Sequence, residues 1–219
     1  MKVLGIYGAS GLGREVLELA HIINKTNKQW DEFIFIDDGD VPEIVSECKV
    51  FKYEEAKREF SSSLEVVMGI GEPATREKLF KKLKNDGINT PSLIHPEVYI
   101  PQSTTIGKGV VIQYGCFVSC NVSIADYVYI QPQCNIGHDD ILEEGCMIAG
   151  FGNIGGIVHI GKWTYIGLSV AIKQLINIGE YSIIGMGAVV LKDIEDGVTA
   201  MGNPARVIAR NEERRVFKG

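Results

Sequence analysis

The stretch NIGHDDILEEGCMIAGFGNIGGIVHIGKWTYIG, residues 135–167, carries an aliphatic side chain at every sixth position. The same register extends in both directions, from Ile94 to Val190, and Ile, Leu or Val occupies each of its seventeen positions. A period of six fits neither an α-helix, which repeats every 3.6 residues, nor a simple strand, which repeats every two. Hexapeptide repeats predict a parallel β-helix, in which each hexad forms one short strand and one turn.

Three hexads complete one triangular coil, so residue n lies under residue n+18, an offset that we call the coil step, and the coils stack at roughly 4.8 Å. The stacked coils form a triangular prism, and we expect the aliphatic residues to fill its interior. A second inward position, four residues after each aliphatic, holds mostly small or apolar side chains, and Asp140 is its one charged residue. Three cysteines occupy this position, where we expect them to pack rather than to catalyse. They are Cys116, Cys134 and Cys146.

His138 follows an aliphatic position by two residues, which places it on a turn, at an edge of the prism. One coil step places Gly156 beside it, which leaves space for a ligand and offers a backbone N–H. The adjacent Asp139 can fix the tautomer of the imidazole and stabilise its charged form. Asp140 can assist the histidine or be satisfied by turn amides. The pattern favours a catalytic pair, His138 and Asp139, over a solvated turn histidine.

The column of His138 continues, by further coil steps, to Gln174 and Lys192. Lys192 lies three coils from His138, or roughly 14 Å at the strand spacing, which matches the reach of a pantetheine arm. The repeat region is acidic, so an anionic cofactor needs such cations, together with Arg206 or Arg210 of the tail. A second edge column consists of Gly150, Leu168 and Met186.

Residues 1–90 alternate strand and helix patterns, which indicates a small parallel α/β sheet. A glycine turn follows the first strand, in the order G-x-x-G-x-G rather than the dinucleotide fingerprint G-x-G-x-x-G. Backbone N–H groups at a helix start favour an anion, and an acid at the end of the second strand often binds a ribose. We therefore predict a nucleotide site, against the alternative of a tight turn without ligand. Its residues are Gly8, Ser10, Gly11, Asp37 and Asp38.

The whole chain has 219 residues, a net charge of −6 and a sequence pI of about 5.3, so it lacks the basic face that nucleic acids require. No apolar run reaches membrane-spanning length, and the N-terminus is typical of a first strand rather than a signal peptide. Five cysteines without a C-x-x-C pair indicate reduced thiols and a cytoplasmic protein. The pattern divides the chain into 1–90, a small Rossmann-like α/β domain with the predicted nucleotide site, 91–196, a β-helix domain with the predicted catalytic pair, and 197–219, a cap and tail.

The remaining histidines of the repeat region do not suggest a metal site. Zinc carbonic anhydrases, which also use a β-helix, need three histidines that converge on one ion. The spacing of His95, His138 and His159 does not bring them to one edge. We expect no metal.

Several segments in order resemble one family across nearly the whole chain. They are GIYGASGLGREV, FIDD, EVVMGIGEPATREKL, SLIHPEVYI, the hexads, IGHDDILEEG and GVTAMGNPAR. Together they resemble the left-handed β-helix acyltransferases of the NeuD/PglD-like type. This family includes sialic-acid O-acetyltransferases and N-acetyltransferases that act on nucleotide-linked amino sugars.

The resemblance implies a left-handed prism, acetyl-CoA as donor, and a homotrimer with active sites between neighbouring prisms. In such a trimer, the second edge column (Gly150, Leu168 and Met186) is predicted to form the opposing wall of the CoA site from a neighbouring chain. It also implies that the N-terminal domain holds a sugar nucleotide. The catalytic histidine and acid of the family match His138 and Asp139, and its backbone amide near the acetyl oxygen matches Gly156. We predict N-acetylation of a nucleotide-linked 4-amino-4,6-dideoxy sugar, with His138 as general base. The alternatives are sialic-acid O-acetylation and a non-enzymatic trimeric scaffold that binds nucleotide sugars.

Overall fold

The computed structural model describes residues 1–217, and it confirms an N-terminal α/β domain followed by a left-handed parallel β-helix. The strands of the first domain pair in the order β3-β4-β2-β1-β5, parallel except for the β3–β4 hairpin. These strands are β1 (Val3–Tyr7), β2 (Glu32–Ile36), β3 (Ile44–Val45), β4 (Cys48–Phe51) and β5 (Leu64–Met68). The helices are α1 (Gly11–Thr26), α2 (Tyr53–Phe60) and α3 (Pro73–Asn85), with a 3₁₀ turn at Ser61–Ser63.

The order of this sheet creates a ligand-binding crevice by topology. From β1 the chain proceeds to β2 on one side, and later to β5 on the other side. The loops after β1 and β5 therefore diverge at the carboxyl ends of these strands. Open α/β sheets bind ligands at such a switch point.

The β-helix has three faces, which the chain visits in turn. The first face consists of β6 (Leu93–Ile94), β8 (Val111–Ile112), β11 (Tyr129–Ile130), β14 (Met147–Ile148), β17 (Tyr165–Ile166), β20 (Ile183–Ile184), β22 (Val198–Met201) and β23 (Arg206–Arg210). The second face consists of β9 (Phe117–Val118), β12 (Asn135–Ile136), β15 (Asn153–Ile154), β18 (Ala171–Ile172) and β21 (Val189–Val190). The third face consists of β7 (Thr105–Ile106), β10 (Ser123–Ile124), β13 (Ile141–Leu142), β16 (His159–Ile160) and β19 (Asn177–Ile178).

The predicted coil step is the observed register of strand pairing. Asn135 pairs with Asn153 on the second face, and Ile141 pairs with His159 on the third. Three residues after each aliphatic position from Ile106 to Ile184, the turn adopts a left-handed backbone, with φ of 60° at Asp139 and 59° at Ile157. Glycine occupies this turn position in four other hexads, at Gly109, Gly115, Gly145 and Gly187. The regular turn explains why the side-chain columns remain aligned from coil to coil.

The last coil is shorter than the others. Ile172 still pairs with Val190 at the regular coil step, but Ile178 bridges to Ile194, so the chain reaches this position before three full hexads are complete. Lys192 lies inside this shortened segment. Because the coil step is constant only as far as Val190, it does not fix the position of Lys192 above His138.

The two domains pack through the first face. Outward residues of this face, such as Tyr129 and Met147, join a buried cluster with Leu17 and Val16 of α1. Arg76 of α3 is also buried there, with its guanidinium 5.7 Å from the centre of the Tyr129 ring and a hydrogen bond to the carbonyl of Tyr127. Burial lowers the pKa of Arg76 to about 10. None of the helices in residues 1–217 has the length and apolar content needed to cross a membrane.

Candidate active site

His138 lies on the edge between the second and third faces, which we call the histidine edge (Gly137–Asp140 and the residues stacked with them). Strand β12 ends at Ile136, which is fully buried, and the chain then turns. At Gly137 a side chain is impossible, because an added Cβ would lie 2.5 Å from the backbone N of Gly156. His138 therefore leaves the prism at a fixed place, followed by Asp139 in the left-handed conformation.

The imidazole of His138 is oriented by the acid that follows it. Its Nδ1 lies 2.7 Å from Oδ2 of Asp139, and Oδ1 of Asp139 accepts a hydrogen bond of 3.1 Å from Nδ2 of Asn121. These two hydrogen bonds, of which the one with His138 has the larger effect, hold the pKa of Asp139 below its usual value. An ionised carboxylate beside Nδ1 favours a proton on Nδ1 and leaves the lone pair on Nε2 free to act as a base.

Asn121 was not predicted, although the sequence contains the signal for it. It precedes Asp139 by one coil step and therefore stacks directly below it. Together, Asn121, Asp139 and His138 form a chain of polar side chains along the edge. The side chains of His138 and Asp139 are 52% and 47% exposed, so the pair is open to a ligand or to another chain.

Gly156 lies directly against the imidazole, as the column predicted. An added Cβ at Gly156 would lie 2.5 Å from Nε2 of His138, so any larger residue would displace the ring. The glycine is itself buried, one coil step above the histidine. Its carbonyl accepts a hydrogen bond from Leu175, whereas no protein partner for its N–H is found within residues 1–217.

Asp140 points into the prism and is fully buried. Its Oδ1 accepts a hydrogen bond of 2.8 Å from the N–H of Val158, while Oδ2 has no partner among the described residues. Thr164 accepts in the same way from the N–H of Ser182, at 3.0 Å. Asp140 thus accepts a hydrogen bond from a backbone amide of the next coil, as expected if turn amides satisfy its carboxylate. Burial raises the pKa of its carboxyl to about 7.

The two predicted cofactor columns lie on different edges of one chain. Gln174 lies one coil step above Gly156, with its backbone N 2.6 Å from the place of an added Cβ at the neighbouring Gly155, and Lys192 is exposed farther along the histidine edge. Leu168 and Met186 are 45% and 75% exposed on the edge between the first and second faces, which we call the domain edge (Gln131–Gln133 and the residues stacked with them). Both columns can therefore line one groove only if a neighbouring chain contributes one of them.

The residues predicted to bind a nucleotide separate into two groups. Ser10 and Gly11 line a cavity of about 430 Å³ between the N-terminal domain and the prism. Gly8 instead shapes the turn: its φ is 108°, and an added Cβ would lie 2.6 Å from the side chain of Ile70. The further residues of the cavity come from both domains: Leu12, Glu15, Ile70, Gly71, Glu72, Gln131, Met147, Tyr165 and Phe217.

The acids Asp37 and Asp38 are already bonded within the domain. Oδ2 of Asp37 accepts from the N–H of Ala9 and Oδ1 from that of Gly39, both at 2.9 Å. Asp38 accepts from the hydroxyl of Tyr7 at 2.5 Å and from the N–H of Tyr53 at 2.9 Å. These contacts tie the glycine turn to the end of β2.

The other two histidines of the repeat region are separate from His138. His159 lies on the third face, where its Nε2 is 2.7 Å from Oε1 of Glu143. His95 is buried beside Tyr114 near the start of the prism. The three imidazoles do not converge on one point.

Comparison with known proteins supports the class that this geometry suggests. Residues 3–83 match the family described as the PglD N-terminal domain. The acetyltransferase domain of PglB from Neisseria gonorrhoeae, in complex with acetyl coenzyme A, is 27% identical with a TM-score of 0.88, over 94% of this chain and 99% of that one. PerB from Caulobacter crescentus, in complex with CoA and GDP-perosamine, is 25% identical with a TM-score of 0.85, over 95% of this chain and 98% of that one.

A curated relative matches over a shorter region. A Staphylococcus aureus (strain COL) protein named as a candidate acetyltransferase is 46% identical over 55 residues, which are 25% of this chain and 28% of that protein. The chain thus spans less than a third of the length of this relative.

The fold and the site define a class, a left-handed β-helix protein with a histidine–acid pair on an open edge, the architecture of the solved acetyltransferases that it resembles. The predicted resemblance to acyltransferases of the NeuD/PglD-like type is confirmed by these likenesses, to the PglD N-terminal domain over residues 3–83 and to the two solved structures over nearly the whole chain.

Proposed function

We propose that the protein is an acetyl-CoA-dependent N-acetyltransferase for an amino sugar carried on a nucleotide. The observation that carries the proposal is the His138–Asp139 pair, held at 2.7 Å on an open edge and packed against Gly156. The likeness to structures that bind acetyl coenzyme A, and to one that binds CoA with GDP-perosamine, supports the choice of donor and acceptor.

The proposed reaction is a direct transfer without an acyl-enzyme. Nε2 of His138 takes a proton from the amine of the sugar as the nitrogen attacks the thioester carbonyl. Asp139 keeps the imidazole oriented and balances its charge. The N–H of Gly156 faces the developing oxyanion, and the proton on His138 passes to the departing thiolate of CoA. A groove that holds both substrates together supplies the proximity that this step requires.

The proposal requires a second chain to complete the site. Within one chain, the cavity of Ser10 and Gly11 adjoins Gln131 on the domain edge, whereas His138 lies one whole face away on the histidine edge. A homotrimer in which the domain edge of one chain meets the histidine edge of the next would unite them. The same contact would place Leu168 and Met186 opposite Gln174, with the CoA arm between them and its phosphates toward Lys192.

In this proposal the acceptor binds in the cavity at the start of α1. The charged side chains in the lining, Glu15 and Glu72, are carboxylates, so they cannot bind phosphates. The phosphates of the acceptor would therefore be bound by the backbone N–H groups of Ser10 and Gly11 at the start of the helix. Gly8, Asp37 and Asp38 would support this site by fixing the turn. Direct contact of Asp37 with a ribose would require it to exchange its bond with Ala9.

The test is a comparison of acceptors. A nucleotide-linked 4-amino-4,6-dideoxy sugar should be acetylated far faster than the same sugar without its nucleotide, and the loss should appear in kcat/KM and partly in kcat. UDP, dTDP or GDP should compete with the acceptor and not with acetyl-CoA. Preferred acetylation of free sialic acid would instead establish an O-acetyltransferase. No acetyl transfer to any sugar would favour a binding scaffold.

A further inference from the structure

The C-terminal end of the described chain returns to the N-terminal domain. After β23, residues 211–217 leave the prism and cross toward α3, and we call this segment the strap. The guanidinium of Arg214 lies 3.6 Å from the centre of the Tyr181 ring and 3.6 Å from Oε2 of Glu77. The N–H groups of Val216 and Phe217 donate to the carboxylate of Glu72, each with a bond of 3.0 Å.

The strap ends at the cavity of the glycine turn. The ring of Phe217 meets that of Tyr165 edge to face, with 5.8 Å between their centres. It also approaches the backbone closely, since an added Cβ at Gly71 would lie 3.3 Å from Cε2 of Phe217. Phe217 thus touches both the prism and the loop after β5.

This is the place where the topology of the sheet positions a ligand. The cavity lies between the loops after β1 and β5, which is the switch point of the domain. About 430 Å³ remains open while the strap is docked, and Phe217 is still 57% exposed. The strap therefore lines the cavity and does not fill it.

The strap also changes the electrostatics of the cavity. Glu72 is a carboxylate at the mouth of a site proposed for an anionic acceptor, and its negative charge would repel phosphates. In the structure, both oxygens of this carboxylate accept hydrogen bonds from strap amides. The strap amides therefore occupy acceptor positions on this carboxylate and offset part of its negative charge.

We propose that the strap is a wall of the acceptor site, and that Phe217 binds the acceptor by packing against a flat or apolar group of it, the base or one face of the sugar. The inference rests on the proposed function, because it takes the acceptor to be a nucleotide-linked sugar. Glu72 is a positioning residue that acts through the strap. Packing of an aromatic side chain on a base contributes enough to change affinity by roughly tenfold.

The experiment compares four single variants and one double variant with the wild type. Phe217→Ala should raise the KM for the acceptor about tenfold and leave the KM for acetyl-CoA unchanged. Glu72→Ala should give the same change, because it releases the strap, and the double variant should be no worse than either single one. Glu72→Gln should keep the acceptor KM at or below the wild-type value, since the amide oxygen still accepts the strap N–H groups and the repelling charge is removed. Tyr99→Ala, which removes an exposed aromatic side chain elsewhere, is the matched control.

The outcomes separate the two proposals. If the wild type acetylates a nucleotide-linked sugar but Phe217→Ala keeps its acceptor KM, the strap is not a wall of the site. A lower acceptor KM in Phe217→Ala would mean that the strap competes with the acceptor, which also overturns the inference. Additive effects of Phe217→Ala and Glu72→Ala would show that Glu72 does not act through the strap. A wild type that transfers no acetyl group removes the proposed function and, with it, this inference.

Discussion

At the scale of single residues, His138 is a half-exposed side chain, and its contacts with two neighbours suit it to act as a general base. Asp139 fixes its Nδ1, and Gly156 fixes the position of the ring. We predict that His138→Ala lowers kcat by roughly 10²–10⁴, the usual contribution of a general base, with an unchanged melting temperature. Steady-state kinetics at saturating substrates provides the measurement. Near-normal turnover would remove His138 from the mechanism.

Asp140 makes a second prediction, about stability and pH. Its pKa is raised to about 7 in the folded chain, against roughly 3.9 in an unfolded one. At a pH between these two pKa values, the carboxyl of Asp140 is therefore protonated in the folded state and ionised in the unfolded state. The stability that this proton contributes is complete below about pH 4 and decreases as the pH rises toward 7, by roughly 1.4 kcal/mol per pH unit.

Asp140→Asn lacks this titration, since its amide is neutral at every pH. The melting temperature of the variant should rise relative to the wild type between pH 5 and pH 7, by roughly 2–4 °C for each kcal/mol. Asp40→Asn, at an exposed loop position, controls for the change in net charge. If the melting temperatures of Asp140→Asn and of the wild type change with pH in the same way across this range, the carboxyl of Asp140 is already ionised in the folded chain.

Single residues also show what the sequence reveals and what it conceals. The coil step was sufficient to place Gly156 beside His138, and it could also have identified Asn121. No periodic rule reaches Phe217, because its contacts with Glu72 and Tyr165 join segments far apart in the sequence. Likewise, the bonds of Asp37 with Ala9 and Gly39 depend on the path of a loop, which composition does not determine.

At the scale of elements, the hexads predict strands well because each strand is only two residues long and is fixed by one buried aliphatic side chain. The shortened last coil escapes this rule. The aliphatic register continues to Val190, so the pattern gives no warning before Ile194 takes the place of Ile178 in the next coil. Positions after Val190 are thus shifted, and Lys192 is the predicted site residue that this affects.

Lys192 nevertheless remains exposed on this edge, and no salt bridge joins it to another residue of 1–217. We predict that Lys192→Ala raises the KM for acetyl-CoA several-fold through the loss of a contact with phosphate, and leaves the KM for the sugar unchanged. The effect should weaken as salt concentration increases, because exposed charges are screened. Lys173→Ala, an exposed lysine one coil nearer His138, is the control. An unchanged KM in both variants would place the CoA phosphates elsewhere.

At the scale of the whole molecule, the separation of the two edges leads to a test of assembly. The proposed acceptor cavity adjoins the domain edge, and His138 lies on the histidine edge of the same prism. If each active site takes its histidine from one chain and its acceptor cavity from the next, two differently damaged chains can rescue each other. Suitable partners are His138→Ala and Gly11→Trp, since an added Cβ at Gly11 meets nothing within 4 Å and the larger ring would enter the cavity.

Each variant alone should be nearly inactive on a nucleotide-linked sugar. When the two chains are refolded together in equal amounts, about a quarter of the sites should combine an intact His138 with an intact cavity, and activity should return to about a quarter of the wild-type value. Mixing the same proteins without unfolding controls for slow exchange between oligomers. If the refolded mixture is as inactive as its components, each site is built within one chain, and the groove between neighbouring chains is not where acetyl transfer occurs.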